Sequence, residues 1–301
     1  MKKKFNFKPL LAKYLSPERI FILGFAGVIL LGTLLLWFPF SATKHPLTFV
    51  NALFTSTSAV CVTGLTVLDI GNDLSFTGQM ITIFLFQIGG LGIITFSTLF
   101  FALMGRGISF KGREIVQSTF LHTPRSDFFA ILKSVLWFTF LFEAIGTLFL
   151  WYRFSRDFSM GPAFYQALYH AISAFNNCGY SLFSDNLLRY QGDLIVNLTV
   201  MGLIVLGGIG FIVQYEVFAK LSRRQKKLSV HTKIVLVSTT ILILSGAILF
   251  YGLERDHIIK DLPLKNQVLA SFFQSVVPRT AGFNTVDIGL LANETILFTI
   301  I

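Results

Sequence analysis

Three short stretches set a glycine in matching company: Ser-Ala-Val-Cys-Val-Thr-Gly64-Leu-Thr, Ser-Ala-Phe-Asn-Asn-Cys-Gly179-Tyr-Ser and Val-Val-Pro-Arg-Thr-Ala-Gly282-Phe-Asn. A small residue precedes each glycine (Thr63, Cys178, Ala281), a bulky apolar one follows (Leu65, Tyr180, Phe283), and a small polar one comes next (Thr66, Ser181, Asn284). A cation entering a narrow pore sheds water, and backbone carbonyls can replace that shell. Aiming successive carbonyls one way needs unusual φ and ψ, which glycine reaches without a Cβ clash. The residues in position to do this are Val62, Thr63, Gly64 and Leu65; Asn177, Cys178, Gly179 and Tyr180; and Thr280, Ala281, Gly282 and Phe283. Glycine that merely lets membrane helices approach would not recur with this local pattern.

The elements that must position these loops repeat as well. Before each loop runs an apolar stretch at 47–60, 163–175 and 264–277, too short to cross a hydrocarbon core of about 30 Å and suited to a re-entrant helix. Pro46, Pro162 and Pro263 precede these stretches, 18, 17 and 19 residues before the glycines, and proline suits a first helical turn. Each half-helix aims its C-terminal end, with its partial negative charge, at the loop. Longer apolar runs at 19–38, 78–103, 128–152, 194–219 and 234–253 are predicted to span a membrane, and a further run begins at Glu294. The order is span, half-helix, glycine loop, span, repeated. The expected organisation is an N-terminal segment 1–17, a unit at 18–103, a linker 104–126, a second unit at 127–219, a linker 220–228, and a third unit from 229.

Hydrophobic residues make up 53% of the 301 and charged residues 13%, with mean hydropathy +0.70. A soluble domain needs more charge on its surface, so the reading is an all-α membrane protein in a lipid bilayer. The net charge of +10 sorts by side when the faces alternate from a cytoplasmic N-terminus. The inner segments then hold 17 Lys and Arg against four acids, and the outer ones 8 against ten. That asymmetry is the positive-inside rule, and it makes a nucleic-acid partner unnecessary. The first apolar run is too long for a signal-peptide core and lacks a small-residue cleavage site. His-Glu-x-x-His and Gly-x-Ser-x-Gly patterns are absent from the sequence, so no enzyme is expected and no catalytic residue is assigned.

Other residues have alternative readings. Asp69, Asp185 and Asp287 follow their glycines by five, six and five residues; they would ring an outer mouth or cap local helices. Gly89-Gly90-Leu-Gly92 and Gly207-Gly208-Ile-Gly210 fall 25 and 28 residues after their loops, where glycine serves close packing or flexing during gating. Glu143 is an intramembrane acid, read as neutral or paired with a neighbouring unit. Arg279 is expected behind its loop, against an acid or a half-helix end. Cys61 and Cys178 read as buried free thiols. The basic run 220–233 serves topology or meets anionic lipid or a cytosolic partner.

On motifs 55–65, 175–181 and 278–284 the chain resembles the ion-translocating subunit of the Ktr/Trk/HKT superfamily of potassium transporters, nearest the bacterial Ktr type. The resemblance implies potassium uptake across the cell membrane through a filter at Gly64, Gly179 and Gly282, with serine at the first position marking sodium-selective relatives. It further implies a homodimer, a cytoplasmic nucleotide-binding regulatory ring of the KtrA kind, K+ as transported ion with Na+ as activator, and no organic cofactor. Coupled symport with sodium or protons is the alternative. The family's four units against three here make a C-terminal continuation beyond Ile301 the expectation.

Overall fold

The computed structural model describes residues 17–92, 128–223 and 227–300, and among them every regular element is helical. In the first block, α1 (Pro17–Trp37) leads to α2 (Phe49–Val60), the one-turn α3 (Ile70–Asp73) and α4 (Phe76–Leu91). The second holds α5 (Phe128–Phe154), α6 (Met160–Phe175), α7 (Leu194–Gly208) and α8 (Phe211–Leu221). The third holds α9 (Val230–Glu254), α10 (Leu264–Val276) and α11 (Asn293–Ile300). The linker 104–126, the N-terminal segment and the far half of the run 78–103 lie outside the described residues.

Length decides which helices can cross a bilayer. Lys133–Phe154 and Val230–Glu254 hold 22 and 25 residues, roughly 33 and 37 Å at 1.5 Å per residue, enough for a hydrocarbon core of about 30 Å. Their outward faces are bare: Trp137 is 63% exposed and Ile248 71%, as a lipid-facing surface requires. The run 194–219, read as one span, is instead two helices bent by 105°. The cause is Gly210, whose φ of +86° breaks the helical ladder where the apolar pattern continues. Gly92, at the matching place, has φ +79° and ends α4.

The prolines also differ from expectation. Pro46 lies outside α2, which is capped by Thr48 accepting from the Asn51 N–H at 3.2 Å. Pro263 is the residue before α10. Pro162 does sit in a first turn, as the third residue of α6, where its missing N–H has no intrahelical partner to lose.

Each block closes the core of the one before it. The buried cluster of the first block includes Leu36, Ala59 and Phe86, and is completed by Tyr169, Cys178 and Tyr180 from the second. The second block's cluster, around Leu150, Phe154, Phe175 and Val200, is completed by Phe273, Val276, Ala281 and Phe283 from the third. Polar pins reinforce the first junction: Tyr169 Oη lies 2.8 Å from Thr82 Oγ1, and Tyr165 Oη donates to Gln79 Oε1 at 2.9 Å. Within each block a polar bond joins the chain at or just after the end of the first helix to the start of a later one. Ser75 Oγ donates to the Phe40 carbonyl at 2.6 Å, Arg153 Nε donates to Asp193, and the Glu254 carboxylate accepts from the Ala292 N–H at 2.9 Å.

Candidate functional site

Helices α2, α6 and α10 all end at the same small region, and the backbone beyond them repeats. Val62 and Gly64 have φ of 55° and 75°, Asn177 and Gly179 57° and 80°, Thr280 and Gly282 77° and 68°. The residue between each pair (Thr63, Cys178, Ala281) keeps negative φ. Alternating the sign of φ turns successive peptide planes so that neighbouring carbonyls face the same way, whereas an extended strand would alternate them. Each loop is tied back to its own helix: Thr63 N–H to the Ser58 carbonyl at 2.9 Å, Cys178 N–H to Ser173 at 2.8 Å, Ala281 N–H to Val277 at 3.0 Å.

The three glycines face one another. A Cβ on Gly64 would strike the Cys178 carbonyl oxygen; one on Gly179 would strike Ala281 O and the Gly282 backbone; one on Gly282 would lie 3.2 Å from Gly179 Cα and 3.6 Å from Gly64 Cα. The residues after the glycines part company. Tyr180 is buried and donates to the Thr55 carbonyl at 3.0 Å, anchoring the second loop on α2. Phe283 is buried against the His170 ring, 6.3 Å between centroids. Leu65 is exposed.

Beside Gly64 and Gly179 lies a cavity of about 460 Å³ lined by those glycines and by Ser181, Ser184, Asp69 and Asp73 among others. Of the three acids expected at a mouth, Asp69 alone lines it. Asp185 is held bidentate by Arg189 at 2.9–3.2 Å. Asp287 accepts from the Gly289 N–H at 2.9 Å. Asp69 also caps, accepting from the Gly71 and Asn72 N–H groups at 3.0 and 3.1 Å. Partial burial pushes its carboxyl up, but hydrogen bonds from Ser184, Asn72 and the two backbone N–H groups outweigh that and hold it below its ordinary value of 3.8. A depressed carboxyl adds stability above its unfolded value, lost as pH falls through the folded one. Protection of the Gly71 and Asn72 amides against hydrogen exchange should therefore drop as pH is taken below about 3.8. In Asp69→Asn that step should be absent; a step that persists would show that Asp69 is not its source.

The helix-interior glycines serve two purposes. A Cβ on Gly89 would strike the Val60 carbonyl oxygen and one on Gly207 the Phe175 carbonyl oxygen, each the last residue of a half-helix. Gly90 leaves room for the Asn176 side chain, and Gly208 lies beside the Asn177 amide. Gly92 and Gly210 have open space around them but positive φ, so they break the helix rather than pack it.

Three further expectations meet the structure. Cys178 is a buried free thiol, but Cys61, the C-cap residue just beyond α2, is exposed. Arg279 meets no acid among the described residues; its Nη2 donates to Thr239 Oγ1 on α9 at 3.3 Å, since the side chain is long enough to reach the first helix of its own block. Glu143 is hydrogen-bonded to Gln87 of the preceding block, at 2.9 Å.

Sequence reasoning passed over Gln79 and Asn197. Gln79 Nε2 donates to the carbonyls of Ile70, Gly71 and Leu74 at 3.1–3.3 Å, and Asn197 Nδ2 to those of Tyr190, Gln191 and Asp193 at 2.7–3.3 Å. Each amide holds the loop that precedes its helix. The signal was present: they lie 15 and 18 residues after Gly64 and Gly179, the same three-residue offset that separates the two Gly-Gly-x-Gly elements.

Among the described residues the fold is all-helical, and its three glycine loops converge beside one polar cavity. Residues 20–301 match the model of the TrkH family, cation transport proteins, and the chain belongs to that family. Among its relatives, Ktr system potassium uptake protein B of Bacillus subtilis (strain 168) is 38% identical over 288 residues, 95% of this chain and 64% of that protein. Ktr system potassium uptake protein B of Vibrio alginolyticus is 37% identical over 94% of this chain and 62% of its own length. Potassium/sodium uptake protein NtpJ of Enterococcus hirae is 35% identical over 95% and 64%. The chain thus spans less than two thirds of these relatives. The crystal structure of the potassium transporter TrkH from Vibrio parahaemolyticus shares the fold, with a TM-score of 0.56 at 20% identity over 95% of this chain and 54% of that one.

Proposed function

We propose that the chain forms the ion path of a Ktr-type potassium uptake system, with the three glycine loops as walls of its selectivity filter. The observation that carries this is the shared alternation of φ in loops whose glycines face one another. Such backbone presents carbonyl oxygens in a row, and carbonyls are what a dehydrated potassium ion needs. Blocks 18–103, 127–219 and 229–301 act as successive pore units, each a span, a re-entrant half-helix, a filter loop and a second helix. Carbonyls at Val62, Thr63, Gly64 and Leu65 and at the matching positions of the other loops replace water. Asp69, with Asp73, concentrates cations in the outer cavity, while Asp185 and Asp287 chiefly hold local turns. The N-terminus is cytoplasmic, and the basic linkers dock a nucleotide-binding regulatory ring. The translocating subunit is a homodimer, and sodium acts as an activator.

The relative with potassium and sodium in its name keeps ion-coupled symport as a second reading. The test is growth of a potassium-starved strain carrying the full-length gene, followed by reversal potentials under imposed sodium and proton gradients. Rescue with a reversal potential that follows potassium alone is the expected result. No rescue by a correctly inserted protein would sink the transport reading, and a reversal potential that tracks sodium or protons would replace a pore with symport.

A further inference from the structure

We propose that Glu143 is a positioning residue for the second glycine loop, setting ion selectivity through the side chains of Asn176 and Gln87. This rests on the reading of that loop as a filter wall. Glu143 stands mid-way along α5 and is 4% exposed. Its Oε1 accepts from Gln87 Nε2 at 2.9 Å and from Asn176 Nδ2 at 3.2 Å, and Asn176 Nδ2 also donates to Gln87 Oε1 and to the Ile172 carbonyl of its own helix, each at 2.9 Å. The three side chains come from three elements: α4 of the first block, α5 of the second, and the C-terminal end of the half-helix α6.

Position gives this cluster its leverage. Asn176 caps α6, with φ −78° and ψ 0°, three residues before Gly179. The next residue, Asn177, begins the alternation that aims the carbonyls. The second block's filter backbone is thus held from the side by a carboxyl and by a helix of the preceding block. Gly90 is part of the arrangement, since a Cβ there would overlap Asn176 Oδ1. The corresponding positions of the other loops hold the exposed Cys61 and Arg279, which turns to Thr239.

An acid is expensive inside a membrane, and removing this acceptor leaves the Gln87 amide N–H without its partner and frees Gln87, whose Oε1 accepts from Asn176. What the cluster needs from residue 143 is an oxygen that accepts, so the role passes through hydrogen bonding and not through charge. Glutamine keeps that oxygen and alanine does not.

The test compares the potassium-to-sodium permeability ratio of the full-length protein with that of Glu143→Gln, Glu143→Ala, Asn176→Ala, the double alanine variant, and Gly179→Ser as a filter control. Glu143→Gln should stay close to the parent. Glu143→Ala and Asn176→Ala should each lower the ratio several-fold, and the double variant should be no worse than either, because both remove one shared constraint. A parental ratio in Glu143→Ala, with Gly179→Ser shifted, would overturn the proposal while leaving the filter reading intact. Equal losses in Glu143→Gln and Glu143→Ala would overturn it in favour of charge. If Gly179→Ser is itself silent, the filter reading fails and the proposal falls with it. Should Glu143→Ala not accumulate, Gln87→Ala and Asn176→Ala keep the carboxyl and decide the matter: parental ratios in both overturn the proposal.

Discussion

Gly64→Ser is expected to reduce the preference for potassium over sodium by about tenfold or more, the equivalent of about 1.4 kcal/mol between the two ions. Two independent penalties act at this position. The backbone has φ +75°, where a residue with a Cβ pays about 1–2 kcal/mol. In addition the new Cβ would overlap the carbonyl oxygen of Cys178 in the adjacent loop, and that oxygen is one of the groups proposed to face the ion. Relief can come only by moving one of the two loops, and both are fixed. The first is held by the Thr63 N–H on the Ser58 carbonyl, and the second by the Cys178 N–H on Ser173. A displaced carbonyl coordinates the larger ion poorly and leaves space for a hydrated smaller one. Gly27, exposed on α1 with nothing within 4 Å of its ideal Cβ, provides the control: Gly27→Ala should leave the ratio alone. A parental permeability ratio in folded Gly64→Ser would remove Gly64 from the filter.

The glycine register was legible in the sequence because a positive φ selects for the residue without a Cβ, and it did so three times at matched spacing. The other half of the alternation was not. Val62, Asn177 and Thr280 also have positive φ, yet of these only asparagine has any intrinsic tolerance for it. Valine and threonine are forced there by the neighbouring hydrogen bonds and packing, which a local pattern does not contain. The bend at Gly210 was hidden for a different reason. Apolar residues continue on both sides of it, so hydropathy reads 194–219 as one span while the backbone makes two helices. The contacts that assemble the site, such as Tyr180 reaching the Thr55 carbonyl or Asn176 meeting Gln87, join residues about 90 to 125 positions apart. No periodicity signals those pairs. Acidic position alone was likewise ambiguous: three aspartates five or six residues after their glycines turn out to be one cavity-lining cap, one ion pair and one remote cap, because each answers first to its own nearest donors.

Gly207→Ala and Gly210→Ala, three residues apart, should fail in opposite ways. Gly207 packs against the end of the half-helix α6, and a Cβ would drive into the Phe175 carbonyl oxygen with the Phe175 carbonyl carbon 2.8 Å away. Overpacking against backbone cannot be relieved by a rotamer change, so α7 must move off α6, at about 1–3 kcal/mol. Thermal stability in detergent should fall, and transport should fall with it because α6 carries the second loop. Gly210 has nothing within 4 Å of its Cβ, so alanine there fits. Its φ of +86° and ψ of 143° lie in a region close to glycine-only, with a strain of about 1–3 kcal/mol that a straighter α7–α8 junction would release. The second substitution should therefore leave α7 packed and the proposed filter intact but change the direction of α8, which leaves α7 at 105°. The expected readout is a near-parental permeability ratio with a several-fold change in maximal transport rate. If Gly210→Ala has the parental rate, the bend has no part in conduction and the glycine is only a helix break. If Gly207→Ala has the parental melting temperature, the close approach to Phe175 does not stabilise the fold.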